Sequence, residues 1–393
     1  MMQETTLARA EAPLARAEGR VDVARERIVS VDVLRGVVMA LMALDHTRDF
    51  FGTGGFNPRD VTEPALFLTR WITHICAPTF ILLAGLSAFL YGRGKSTGEL
   101  SRFLVTRGIF LMLVDLTLIK FGWRFDFDFF RVGAGVIFAI GASMIALAAL
   151  IWLPRWLIAA IALAMIVGHN AFDGVRAEQF GAFGWLWHFL HQRGQVQFGG
   201  ATIYVVYPLI PWIGVIAAGY ALGPVMRLAP EARRRILFWL GAGITLGFVL
   251  LRASNLYGDP AAWMAQDSSL STLLSFLNCE KYPPSLLYLM MTLGPGLMLL
   301  ASFEHARGPF AQVLSVFGQV PFFFYVVHIY LIHVLAVATG FAMTGALEAG
   351  PEIGFGLPGV YLVWLIVLAL LYPICRWFAA LKQRRSEWWR SYL

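Results

Sequence analysis

Charge is scarce in this chain. Only 14% of its 393 residues are Asp, Glu, Lys or Arg, against 58% hydrophobic ones, where a soluble domain carries roughly 25% charged residues. The shortage excludes an ordinary water-soluble globule. Apolar runs recur along nearly the whole length and point to an integral membrane protein. Cysteine is sparse too: Cys76, Cys279 and Cys375 fit neither a disulfide framework nor a metal-ligand spacing. Cys76 and Cys279 both fall toward the outer side, and the sequence leaves open whether they interact. No Gly-rich phosphate loop, metal-ligand cluster or Cys–His pair stands out, so no metal is expected. The first 29 residues are charged and Ala-rich and do not read as a cleavable signal. A net charge of +7 does not imply nucleic acid here, because the basic residues gather in alternate loops between spans.

The expected architecture is all-α and polytopic, with about ten membrane helices of roughly 20 residues around a central polar cavity. They run approximately over 30–51, 65–91, 103–122, 132–153, 155–171, 202–224, 234–253, 283–303, 314–341 and 357–380. Residues 30–380 read as one transmembrane domain. A cytoplasmic tail precedes it at 1–29, where Leu7-Ala-Arg-Ala-Glu11 repeats as Leu14-Ala-Arg-Ala-Glu18, and a basic cytoplasmic tail follows at 381–393. The repeat fits either a surface amphipathic helix or a disordered segment. Segment 183–192 reads as an interfacial helix with aromatic anchors. With the N-terminus inside, inner segments hold eighteen Lys and Arg residues against six in the outer loops. That asymmetry places both termini in the cytoplasm and the chain in a plasma (inner) membrane.

Within the first span a polar stripe interrupts apolar sequence. Arg35 and His46 lie eleven positions apart and return to within roughly 20° of one direction at 100° per residue. Asp32, Arg35, Met39, Met42, His46 and Asp49 therefore share a seam. Ionisable groups at membrane depth normally face the protein interior or a water-filled cavity, although these residues also fit a span capped by interfacial charges.

His46 is the candidate general base, since imidazole titrates near neutrality. Asp49, at i+3, reaches one imidazole nitrogen and fixes its tautomer. Asp45 points about 100° away from His46 and pairs with Arg48. In the second span, His74 and Thr73 beside the helix-interior Pro78 suggest a pocket wall at the depth of His46; a structural histidine is the competing reading. In the ninth span, Tyr325 and His328 share one face beside Pro321 and can line the same cavity, with Gln319 nearby, while His333 reads as a packing residue or a group at the outer rim. Lys281 and Tyr282 open the eighth span, where Lys281 either anchors the interface or binds an anionic acceptor group. Trp185, Trp187 and Tyr282 are candidate aromatic walls for an acceptor. Arg93, Lys95, Arg102 and Arg107 form a basic inner patch beside Arg35, suited to a phosphorylated ligand from the cytosol.

Arg35-x10-His46, preceded by Asp32 in an Asp-x-x-Arg-Gly frame, resembles the first-helix signature of the acyltransferase-3 proteins. The longer Arg27-x-x-Ser30-Val-Asp32-x-x-Arg35-Gly36 resembles the heparan-alpha-glucosaminide N-acetyltransferase catalytic-domain family. Thr73-His74-x-x-Ala77-Pro78-Thr79-Phe80, Lys281-Tyr-Pro-Pro-Ser285 and Phe317-Gly-x-Val-Pro321 are similar to its bacterial branch. The resemblance implies an acyl-CoA, such as acetyl-CoA, as co-substrate from the cytoplasmic side, with no bound cofactor. It also implies a histidine serving as base or transient acyl carrier. On these positions the histidine role passes to His46, and the acyl-CoA side to Asp32 and Arg35; Arg102 and Arg107 of the basic patch are expected beside them as acyl-CoA-binding residues. The chain departs from the lysosomal enzyme at 52–64, which holds no histidine and no Trp-Asn-Gly; a heparan-like substrate is therefore not implied. The expected partners are the bilayer, acyl-CoA and a sugar or envelope acceptor, with a homodimer left open. A proton-coupled transporter using the same buried charges competes, but the sequence shows no paired inverted repeats.

Overall fold

The computed structural model describes residues 28–53, 57, 59–345 and 354–384. The N-terminal repeat and most of the basic C-terminal tail, with Arg9, Arg16, Arg20, Arg25, Arg27, Arg385 and Arg390, lie outside the described residues. In chain order the helices begin with α1 (Val29–Phe51), α2 (Pro64–Thr73), α3 (Cys76–Tyr91) and α4 (Thr97–Val114), which runs through a π-helical turn (Asp115–Ile119) into α5 (Lys120–Arg124). After strand β1 (Arg131–Ala134) come α6 (Val136–Leu150), α7 (Arg155–Gly168) and α8 (Gly184–Leu190). Strands β2 (Gly194–Phe198) and β3 (Ala201–Val205) lead to α9 (Leu209–Leu222), α10 (Pro230–Ser254) and α11 (Ser269–Leu277). The last helices are α12 (Leu286–Ser302), α13 (Pro309–Gln319), α14 (Pro321–Thr344) and α15 (Leu357–Arg384).

Among the described residues seven helical runs are long and apolar enough to cross a membrane: Pro64–Tyr91, Arg155–Phe172, Leu209–Arg227, Pro230–Ser254, Leu286–His305, Pro321–Thr344 and Leu357–Lys382. The apolar helix α6 is shorter. Helix α1 has 23 residues and stands outside that set through its charges, not its length. Three expected boundaries move. The fourth and sixth segments start as strands, and β1 and β3 pair in parallel beside β2 in a three-stranded sheet. The ninth is two helices that break at Val320, ahead of Pro321. Residues preceding proline are driven out of the helical region, and Val320 has φ −132° and ψ 50°. A helix, α8, lies where one is expected at 183–192.

Two of the sequence motifs work as joints. Pro78 has no N–H for the carbonyl of residue 74, four positions back. The Tyr288 hydroxyl on α12 donates to that carbonyl at 2.9 Å, so a break in α2–α3 becomes a tie between helices. Gly36 and Gly318 meet where α1 crosses α13: a Cβ on Gly36 would stand 1.9 Å from the Leu314 carbonyl oxygen, and one on Gly318 would stand 1.8 Å from that of Asp32. Small residues that let helix backbones approach are the usual packing device in membranes. Thus Gly36 of Asp-x-x-Arg-Gly and Gly318 of Phe-Gly-x-Val-Pro form one contact.

The loop between α10 and α12 is gathered around the buried Arg252 side chain. Arg252 is 1% exposed and donates to the carbonyls of Ala261 (2.7 Å), Phe276 (3.0 Å), Ser275 and Asn278 (both 3.2 Å). Asp259 lies 3.7 Å away and accepts from Ser285 Oγ at 2.6 Å. Arg252→Met keeps the volume but strands those carbonyls and a buried carboxylate. Breaking such a pair costs about 3 kcal/mol or more. The expected result is a lower thermal unfolding temperature and faster proteolysis within 255–280, measured on the purified protein in detergent.

Candidate active site

One cavity of about 520 Å³ threads the bundle. From α1 it is lined by Arg35, Met39, Met42, Asp45 and His46, positions that follow the 3.6-residue period of one helix face. One end holds Arg35, Tyr91, Arg107 and Lys382; the other holds Asp45, His46, Tyr207 and Lys281. Apolar groups of α3, α4 and α6, among them Phe80, Leu104 and Ile140, form the waist. Arg35 and His46 are about 16 Å apart along α1 at 1.5 Å per residue.

At the Arg35 end, Arg35 hydrogen-bonds the Ser87 hydroxyl and lies 3.8 Å from Asp32. Asp32 is buried and does not line the cavity, which corrects the expectation that it meets the acyl-CoA directly. Ser30, from the same motif, donates to Glu304 at 2.6 Å, and Glu304 is also paired to Arg233. Arg107 reaches the cavity, whereas Arg102 is exposed and turned away. Five residues of helix rotate a side chain by about 140°, which corrects the expectation that both arginines serve this end.

At the other end His46 Nδ1 lies 2.7 Å from His328 Nε2, with the rings stacked at 4.9 Å. His328 Nδ1 meets the Phe324 carbonyl at 3.0 Å. A carbonyl only accepts, so His328 carries its proton on Nδ1 and its Nε2 accepts in turn. His46 therefore donates from Nδ1, and its Nε2 keeps the lone pair. Trp123 packs edge-on at 4.8 Å, and Tyr325 lines the wall beside it.

Asp49 does not orient His46. It pairs with Arg48 at 2.8 Å at a half-exposed helix end, and the orienting partner is His328. Asp45 also meets Arg48 at 2.8 Å and accepts from Thr73 Oγ1 at 3.0 Å. His74 misses the cavity. It sits at the α2–α3 break against Arg70, at 3.2 Å, and lines a separate small pocket with Arg59, Glu280 and Lys281. Lys281 is buried and borders both spaces. Tyr282 lies beside Tyr207, 3.5 Å between hydroxyls, and of these two phenols it is Tyr207 that lines the cavity. Trp185 is exposed and, like Trp187, lines no part of the cavity. His333 packs flat on Phe125 at 3.8 Å. Cys76, Cys279 and Cys375 are free, buried thiols, and Cys76 donates to the Val38 carbonyl.

The fold also assembles a cluster that the sequence reading did not expect: His169, Asp173 and His191. Their i, i+4 spacing at 169 and 173 was the available signal; His191 enters from beyond α8.

The structure is thus a polytopic helical protein whose core cavity is lined by cationic groups, Arg35 and Arg107 among them, and by the imidazole of His46. The sequence model of the heparan-alpha-glucosaminide N-acetyltransferase catalytic domain matches residues 27–251, and the chain belongs to that family. It is accordingly a membrane enzyme of acetyltransferase type. The matched region contains both Arg35 and His46. No curated protein matches the chain.

Proposed function

We propose that this protein transfers an acyl group, acetyl in the first instance, from acyl-CoA at the Arg35 end to a hydroxyl or amine that enters at the His46 end. The observation that carries the proposal is the single cavity joining those two groups. With the basic side inside, as the positive-inside rule requires, acyl-CoA arrives from the cytosol and the acceptor from the far side. Arg35, Arg107 and Lys382 supply three cationic groups for its phosphates, as point charges and forks matched to that geometry. The apolar waist suits a pantetheine arm, whose extended length is of the order of the separation between Arg35 and His46.

At the far end, His46 Nε2 takes the proton of the attacking hydroxyl or amine as the acceptor oxygen or nitrogen bonds to the thioester carbonyl. The carbon–sulfur bond then breaks, and the imidazolium returns its proton to the leaving CoA thiolate. The same lone pair is the nucleophile if His46 is acylated first. His328 holds the tautomer, as a carboxylate does in hydrolase triads. Lys281, facing Asp45 across this end, positions an anionic or hydroxyl-rich acceptor such as a sugar or envelope polymer.

Arg35→Ala tests the polarity of the conduit. Losing one charge-assisted phosphate contact is worth about 1.5–3 kcal/mol, so acyl-CoA affinity is expected to fall about 10- to 100-fold in titrations of purified protein. Unchanged affinity would remove Arg35 from the donor site. A pH-driven solute uptake without release of CoA thiol would replace enzyme by transporter.

A further inference from the structure

Away from the conduit, His169, at the end of α7, meets His191, which follows α8. Their ring centroids are 5.6 Å apart. Both rings are almost wholly buried, 2% and 3% exposed, and none of their four nitrogens has a hydrogen-bond partner. Buried polar groups without partners are rare because each one keeps its full desolvation penalty. Two adjacent buried imidazoles that make no hydrogen bond are a place where a further partner would be accommodated. Asp173 supplies the third group, its Oδ1 3.4 Å from His191 Nε2. One ligand atom from each of the three residues lies within 4.8 Å of the other two.

We infer that His169, Asp173 and His191 bind a divalent transition-metal cation of the zinc type. Two neutral imidazoles and one carboxylate are a donor set that such cations take, with a water completing four-coordination. Ligands at about 2.1 Å from a tetrahedral ion stand about 3.4 Å apart, so a small tilt of the rings closes the set. A support for the ligands is already in place. Asp173 Oδ2 accepts from the Asn170 amide at 2.8 Å, and Asn170 Oδ1 accepts from the Leu286 backbone N–H at 2.8 Å. Metal-binding carboxylates are generally held by such partners. The Asp173 side chain is 25% exposed, which gives the ion a way in. Through Asn170 the ion fastens the α7–α8 connection to the first residue of α12, directly after Lys281-Tyr-Pro-Pro-Ser285. The site is a clamp behind the acceptor end of the conduit, and it stands whether or not the acyl-transfer reading does.

The test uses full-length protein in detergent, purified without a polyhistidine tag and stripped with a chelator. Titration with Zn²⁺ is expected to restore about one ion per chain, and the chelator to lower the thermal unfolding temperature of the wild type. Co²⁺ in its place is expected to give the intense visible absorption of a tetrahedral site. Asp173→Asn, which keeps shape at a partly exposed position, is expected to weaken Zn²⁺ binding by more than about 10-fold, and His191→Gln to abolish it. Wild-type stoichiometry and affinity in Asp173→Asn would overturn the site. So would a folded wild type that takes up neither ion.

Discussion

His46→Ala is expected to insert and fold normally and to lose acyl transfer by about 1,000-fold or more, since a positioned general base contributes roughly 10²–10⁴. The readout is the passage of labelled acetyl groups from acetyl-CoA to acceptor in membranes carrying each variant. His328→Ala leaves the His46 ring in the cavity without the neighbour that fixes its Nδ1 proton. Misassigning a catalytic tautomer costs nearly as much as losing the base, so a fall approaching that of His46→Ala is expected. The double variant should be no worse than His46→Ala alone, because residues that act as one unit are strongly non-additive. Additive losses would mean that His328 serves the reaction separately. Full activity in His46→Ala would remove the imidazole from the chemistry altogether.

The conduit's wall on α1 was legible in the sequence because helical period fixes which residues of a single helix share a face. Arg35, Met39, Met42 and His46 follow from that arithmetic alone. The partner of His46 was not legible. Asp49 satisfies the same local spacing, but His328 stands 282 residues away, and no periodicity within α1 or α14 states which distant helix will face which. The same limit accounts for Arg102 and His74. Arg102 shares a helix with Arg107, so its position in the basic patch was visible, but the rotation of that helix is set by packing. Helix α4 turns Arg102 outward. Depth alone puts His74 level with His46, but the break at the α2–α3 junction leaves its ring against Arg70 and in the small pocket that Lys281 also lines. The small sheet is hidden for another reason: β1 and β3, four and five residues long, run straight into apolar helices, and so short a run does not reveal its period.

Glycine supplies the other large effect. Helix α1 carries both ends of the conduit, so its distance from α13 sets where Arg35 and His46 stand. That distance is fixed by backbone against backbone: Gly36 faces the Leu314 carbonyl and Gly318 the Asp32 carbonyl, with no flexible side chain between to give way. A methyl group on Gly36 would stand 1.9 Å from the Leu314 oxygen, far inside contact distance, and α1 must move off α13 to admit it. Overpacking typically costs about 1–3 kcal/mol where side chains can adjust; here the obstacle is main chain, so Gly36→Ala is expected at or above the top of that range. Fluorescence-detected size exclusion after heating should show a much lower unfolding temperature and poor recovery of folded protein. Gly243→Ala in α10 is the control, because nothing lies within 4 Å of a Cβ there. It is expected to be neutral or to stabilise slightly, through the helix preference of alanine over glycine. Equal tolerance of both substitutions would show that the α1–α13 crossing is looser than the backbone contact requires, and the alignment of Arg35 with His46 would then depend on α3 and α15 instead.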